Sequence, residues 1–284
     1  MTQLAWATDI HLDFLKTSDS AYQHWLSTIQ AQNPAGVLLT GDIATAPTLL
    51  PWLDQVAADL PYPLYFVLGN HDYYDGSIAE VRRALSGRRH PTQHWLGGGS
   101  PIRLSESTSL IGHSGWGDTR VGDFMTTHIR INDHRLISEL SNLDRNVLQQ
   151  RLRDLGHQAA LKIKSQLEVC ETKTVIVATH VPPFRSSTWY SGRYGDIEWM
   201  PDFCCGATGE VLLAHARQHP DQSFVVYCGH THGEGRYQPL ANLDVFTGKA
   251  DYGKPALQGM IDVASGLVGD ADRYLVAKHN KESF

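Results

Sequence analysis

The sequence predicts an α/β protein that carries its functional groups at the C-terminal ends of its strands. Three observations lead there. Short apolar runs alternate with longer stretches of helical spacing. Five of those runs stop at Asp, Asn or His, where loops after strands usually carry sites. The chain has 284 residues, 42% of them hydrophobic, enough for a sizeable core. Length alone allows two domains. Ligands from both halves must meet in one site, however, so a single domain over residues 1–284 is expected, with a largely helical insertion at about 119–171. No internal repeat or low-complexity segment is apparent.

Taken in order, the first run, residues 4–8, leads into Asp9-Ile10-His11. Ser18, Asp19 and Ser20 are helix N-cap types, and Ala21, Trp25 and Ile29 then give one buried helical face. Pro34 and Gly36 end that helix, and residues 37–40 run into Gly41-Asp42. The next helix starts near Pro47, with Leu49, Leu50, Leu53, Val56, Ala57 and Leu60 as its apolar stripe. Pro61 and Pro63 stop it before residues 65–68, which run into Gly69-Asn70-His71-Asp72. That tetrapeptide alone reads equally as a turn, since Gly and Asn tolerate unusual backbone angles. Ser77-x-x-Glu80 reads as a capping box for a helix buried through Ile78, Val81 and Leu85, and Gly97-Gly98-Gly99 as a turn. A further strand at 110–112 ends in a block from His113 to Asp118; His113 reads as a hydrogen-bonded histidine beside a turn.

Within 119–171, Leu148, Leu152, Leu155, Ala159, Ile163 and Leu167 follow the spacing of a core-facing helix. The piece before it, 120–140, holds His128, Arg130, Asp133, His134 and Arg135, and reads as a solvated surface or as a lid. Residues 175–179 run into His180. A long loop follows through Arg185, Trp189, Tyr190, Arg193, Tyr194 and Trp199 to Phe203, either a substrate wall or ordinary packing. Thr208 is predicted to cap a helix containing Val211, Leu212 and Leu213. Residues 224–228 run into Gly229-His230-Thr231-His232. Residues 243–246, 260–263 and 274–276 read as late strands.

The strand ends supply Asp9, His11, Asp42, Asn70, His180, His230 and His232: oxygen and imidazole donors, and no sulfur. Such a set suits manganese, iron, zinc or cobalt and is poor for calcium. It is too large for one tetrahedral zinc. Asp13 and Asp75 lie near the motif loops and read as capping or solvated residues, and Arg185 as a phosphate contact or a surface arginine.

The order D-x-H, G-D, G-N-H-D, H, G-H-x-H over residues 9–232 resembles the calcineurin-like metallophosphoesterase superfamily. The resemblance implies a four-layer α/β/β/α sandwich of two mixed sheets. It also implies two transition-metal ions, with manganese, iron or zinc expected. Asp9, His11 and His232 would hold one ion, Asn70, His180 and His230 the other, and Asp42 would bridge them. It further implies a hydrolase of phosphate esters, in which a hydroxide between the ions attacks phosphorus in line and His71 assists the leaving group. Asp72 would orient His71, or else stabilise the turn. A phosphodiesterase or nucleotide pyrophosphatase is the alternative to a monoesterase, and a non-catalytic scaffold is disfavoured because every motif residue is present. Purple acid phosphatases carry a tyrosine three residues after the bridging aspartate; Thr45 stands there instead.

The remaining composition narrows the partners. A net charge of −6 and a pI near 6.2 leave no electrostatic footprint for nucleic acid, so the expected partner is a phosphate-ester small molecule or a phosphoprotein. Cys170, Cys204, Cys205 and Cys228 form no C-x-x-C pair and read as free thiols of a reducing compartment. The chain enters its first predicted strand within a few residues, without a basic stretch and a long apolar core. No signal peptide or membrane span is therefore expected, and the cytoplasm is the expected location.

Overall fold

A computed structural model describes residues 2–274 together with Val276 and Ala277. Strand alternation explains its layers. In β1 (Gln3–Ala7), Leu4 and Trp6 face one way and Ala5 and Ala7 the other, and all four are buried. A strand buried on both faces belongs inside a stack of layers rather than at a surface. The same holds for β2 (Gly36–Thr40) and, apart from the half-buried Tyr65, for β3 (Leu64–Val67). With β4 (Gln93–Trp95) these strands run parallel, in the order β1-β2-β3-β4.

The second sheet begins with β5 (Ile102–Arg103), β6 (Thr108–Gly112) and β7 (Thr174–Ala178). A small hairpin, β8 (Trp189–Tyr190) and β9 (Arg193–Tyr194), interrupts the chain before β10 (Ser223–Cys228), β11 (Gly235–Leu240) and β12 (Leu243–Thr247). β13 (Gly259–Asp262) returns to the first sheet, antiparallel to β1. β14 (Val276–Ala277) pairs with β11, giving the order β14-β11-β12-β10-β7-β6-β5. Both sheets are mixed. Of the predicted last strand at 274–276, Tyr274 instead closes a 3-10 turn, Val276 opens β14, and Leu275 lies outside the described residues.

The helices are α1 (Ser20–Gln32), α2 (Ala46–Asp59), α3 (Ile78–Ser86), α4 (Asp133–Leu136), α5 (Arg145–Leu167), α6 (Met200–Phe203) and α7 (Gly206–Gln218). Their burial divides the core into three layers. Leu4, Trp6 and Leu38 of one sheet pack directly on Ile176, Tyr227 and Phe246 of the other. Outside the first sheet, Ala5, Leu39 and Phe66 meet Trp25 and Ile29 of α1 and Leu53 and Val56 of α2. Outside the second, Val175, Val177 and Val226 meet Ile163 of α5 and Leu212 of α7. This is the four-layer α/β/β/α sandwich. Helix α5 spans the join, with Leu148, Leu152 and Leu155 in the first outer layer and Ile163 and Leu167 in the second.

Several local expectations are adjusted. β11 carries Pro239 and so does not read as a strand; a register shift between Tyr237 and Leu240 accommodates the missing amide. Thr208 does not cap α7. The helix starts at Gly206, where the Asp118 carboxylate accepts from the Gly206 and Ala207 amides at 3.1 and 2.7 Å. Ser77 does cap α3, but Glu139 takes the Ile78 and Ala79 amides. No helix among the described residues is long and apolar enough to cross a membrane.

All four cysteines are buried thiols outside any disulfide. Cys205 and Cys228 are pushed up to about 12 by burial, so neither is a ready thiolate. Thiol titration of the denatured, unreduced protein is expected to count four, with slow reaction in the folded protein. A count of two, or rapid native labelling, would contradict this packing.

Candidate active site

The expected ligands sit where strands end, and the backbone shows how they are turned inward. Asp9, His11, Asp42, His230 and His232 all have positive φ, between 41° and 69°. The left-handed region costs a residue with a side chain about 1–2 kcal/mol. Strain gathered at five strand-end positions is what a built site shows. It also answers how Asp9-x-His11 and His230-x-His232, which would share a face in a regular strand, aim their side chains independently. The loops are tied together at the same point: the Asp9 amide donates to the Gly41 carbonyl and the His11 amide to the Asp42 carbonyl, each at 3.0 Å.

Two groups of donors result. In one, the ligand atoms of Asp9, His11, Asp42 and His232 all lie within 4.8 Å of one another. His232 Nε2 is 3.4 Å from Asp9 Oδ1 and also 3.4 Å from His11 Nε2, while His11 Nε2 is 3.9 Å from Asp42 Oδ2. In the other, His180 Nε2 is 3.3 Å from Asp42 Oδ1 and 3.1 Å from Asn70 Oδ1. The His230 ring stands edge-on to His180, 5.0 Å between centroids. Asp42 belongs to both groups. Gly69 is required beside it, because a Cβ there would overlap the Asp42 carboxylate.

Outer partners settle which nitrogens face inward. A carbonyl only accepts, so His180 Nδ1 donates to Thr40 O at 2.9 Å and His230 Nε2 to Asp202 O at 3.2 Å. The remaining nitrogens, Nε2 of His180 and Nδ1 of His230, face inward, where a cation would take the place of any proton on them. Asn70 is aimed the same way: its amide nitrogen donates to Asp133 Oδ1 at 2.8 Å and to Tyr74 Oη at 3.2 Å, which turns Oδ1 toward His180.

The electrostatics agree with a cation site. Burial raises the Asp42 carboxyl, but His180, His71 and His11 outweigh it and hold Asp42 well below the usual range. Asp9, raised by burial and lowered further by His180 and His232, comes to about 2. Burial pushes His11 down to about 4 and His230 to about 3, so both present neutral imidazole. For His180 burial is overcome by Asp42 and Asp9, which lift it to about 10. The negative field that holds a proton there would favour a divalent ion in its place. These oxygen and nitrogen donors, with no thiolate, fit a metal site at Asp9, His11, Asp42 and His232, with His180 against the other oxygen of Asp42.

Of the residues around the donors, Asp72 departs from its expected orienting role. His71 lies beside the cluster, its amide bonded to Asp42 Oδ1 at 2.9 Å and its ring stacked on Tyr74 at 4.1 Å. Asp72 does not orient that ring. Its Oδ1 accepts from the Ile43 and Ala44 amides and its Oδ2 from Gly69 N, at 2.7–2.9 Å, so it pins the Asp42 and Asn70 loops together. Asp75 is exposed in a left-handed turn, and Asp13 is half-buried. His113 is buried, and its Nδ1 accepts from the Gly115 amide. Arg185 lays its guanidinium on Tyr194 and does not line the cavity.

That cavity, about 470 Å³, opens on Asp42, Asn70, His71, His230 and His232. Tyr190, Trp199, Met200 and Phe203 of the long loop form one wall, and Arg130 to Asp133 form another. Both segments left open by sequence therefore border the site. Tyr252 was not singled out there; its ring sits 4.5 Å from His11 and 5.1 Å from His232 at the mouth. It follows no apolar run, so no periodicity marks it.

The calcineurin-like phosphoesterase family model matches residues 3–234. No curated protein matches the chain significantly. Among solved structures, a phosphopantetheinyl hydrolase from Mycobacterium tuberculosis is similar with a TM-score of 0.63 at 12% identity, over 88% of this chain and 90% of that one. A dimetal phosphatase from Danio rerio is similar with a TM-score of 0.54 at 14% identity, over 91% and 88%. At these identities the likeness is one of fold.

Because Asp42 belongs to both donor groups, Asp42→Asn is expected to weaken binding of both ions, each by roughly 10-fold or more. Calorimetric titration with manganese checks this. One ion retained at full affinity would contradict the shared role.

Proposed function

This chain belongs to the calcineurin-like phosphoesterase family, a family of metal-dependent hydrolases of phosphoesters, and we propose that its substrate is a small phosphate ester whose organic part rests in the aromatic cavity. The observation that carries this reading is the cavity of about 470 Å³ opening directly on the donor groups and His71. A concave pocket of this size suits a small molecule; a phosphoprotein chain would need a more open groove. Tyr190, Trp199, Phe203 and Tyr252 offer apolar ring faces to the ester group, and Arg130 a cation beside them.

Asp9, His11, His232 and Asp42 would hold one ion, and Asn70, His180, His230 and Asp42 the other. Manganese, iron or zinc fits the donors equally. Bound ions supply Lewis acidity toward phosphate and make water acidic enough to react near neutral pH. The protein's own groups do the rest. The rigid strand ends fix the donors, and the aromatic walls exclude bulk water and seat the leaving group. His71 is positioned to hand a proton to the leaving oxygen. Its side chain is 15% exposed, its Nε2 is 4.0 Å from Asp42 Oδ2, and Tyr74 fixes the ring plane. Four buried cysteines outside any disulfide support a reducing, cytoplasmic setting.

Replacement of His71 separates proton transfer from ion binding, because His71 lies outside both donor groups. An alkyl oxygen leaves poorly without a proton, whereas a nitrophenolate does not need one. His71→Ala is expected to keep its metal content and to lose about 10²–10⁴-fold in kcat on alkyl phosphate esters, with a much smaller loss on nitrophenyl esters. Equal losses on both would contradict proton donation and point to electrostatic stabilisation of the transition state. Unchanged rates on both would remove His71 from the reaction.

A further inference from the structure

The insertion reaches the donor groups through a buried carboxylate. Asp133, at the start of α4, is 3% exposed. Its Oδ1 accepts from Asn70 Nδ2 at 2.8 Å and from Tyr74 Oη at 2.6 Å. An amide side chain is free to flip end for end, and the flipped Asn70 would present N–H groups to a cation. An acceptor on the nitrogen side forbids that flip and polarises the carbonyl.

Asp133 is itself held in place. The Asp75 amide donates to Leu136 O at 2.9 Å, and the Ser138 amide to Gly76 O at 3.0 Å. The Glu139 carboxylate takes the first amides of α3. The segment from Asp133 to Glu139 is thus stitched to the turn that follows Asn70. The neighbouring His134 extends the arrangement: its Nε2 is 3.0 Å from Asp202 Oδ1, and the Asp202 carbonyl accepts from His230. Two donors of the same group, Asn70 and His230, therefore lean on α4 and its contact with α6. Asp9, His11 and His232 have no hydrogen bond to either helix among the described residues.

We propose that Asp133 is a positioning residue that sets the affinity of the Asn70–His180–His230 site alone, so that the insertion controls occupancy of one of the two ions. The inference rests on the two-ion reading above. It assigns a role to a residue outside the family's strand-end motifs.

The test uses the full chain, stripped with chelator and titrated with manganese alone. Calorimetry gives the two affinities, and electron paramagnetic resonance distinguishes a coupled ion pair from a single ion. Wild-type protein is expected to bind two ions and show the coupled signal. Asp133→Ala is expected to bind one ion as the wild type does and the other roughly 10–100-fold more weakly, so that the uncoupled signal dominates at limiting metal. Asp133→Asn keeps a carbonyl oxygen for the Asn70 amide and is expected to restore most of the lost affinity. Asp133→Ser, too short to reach Asn70, is expected to behave as Asp133→Ala and substitutes for it if alanine prevents folding. Unchanged affinity for both ions in the alanine and serine variants would overturn the proposal. So would equal weakening of both ions, which is a general structural effect, or an asparagine variant as weak as alanine. Fewer than two ions on the wild-type protein would overturn the two-ion reading, and this proposal with it.

Discussion

The structure depends on one buried carboxylate. Asp42 is 1% exposed, at the bottom of the cavity, where an isolated charge would be strongly destabilising. Its compensation comes from every direction at once. The His71 amide bonds Oδ1, His180 approaches the same oxygen, and His11 and His71 lie near Oδ2. These groups arrive from strand ends in both sheets, so the site forms only once the sandwich does. Asp72 performs the corresponding backbone task. With its oxygens on three amides it fixes the Asp42 loop against the Asn70 loop, which places a donor of each group at a fixed separation.

The sandwich makes this convergence possible because the strands that carry donors lie centrally. β1, β2 and β3 are adjacent and parallel in one sheet, and β7 and β10 are adjacent and parallel in the other. Parallel strands end on the same side, and two sheets packed face to face bring those ends to one edge of the shared core. Left-handed turns then bend the donors inward at a cost the packed core outweighs. The helices cover the outer faces. Two segments between these elements, at 130–133 and 190–203, build walls of the cavity.

Much of this was legible in the sequence for a physical reason. A strand buried on both faces reads as an unbroken apolar run, and a donor at its end interrupts the run abruptly. Asp9, His11, Asp42, Asn70, His180, His230 and His232 all carry that mark, and the structure brings them together. Residues that act from irregular segments carry no such mark. Asp133 sits in a polar stretch that reads as surface or lid, and Asp202 in a long loop without periodicity, although both are buried against donors. Tyr252 lies after the last motif, in a loop without periodicity. The function of Asp72 turned on which neighbour its carboxylate reached, a choice between backbone amides and an imidazole that spacing does not encode. β11 escaped because Pro239 argues against a strand unless the register shifts around it.

The central claim is that strand ends from two sheets form one site for two ions that share Asp42. Crystals of the full chain grown with manganese, with data collected at the metal absorption edge, test it most directly. Two anomalous peaks about 3.5–4 Å apart are expected, one on either side of the Asp42 carboxylate, the first reached by Asp9, His11 and His232 and the second by Asn70, His180 and His230. A single peak, or peaks away from Asp42, would contradict the account.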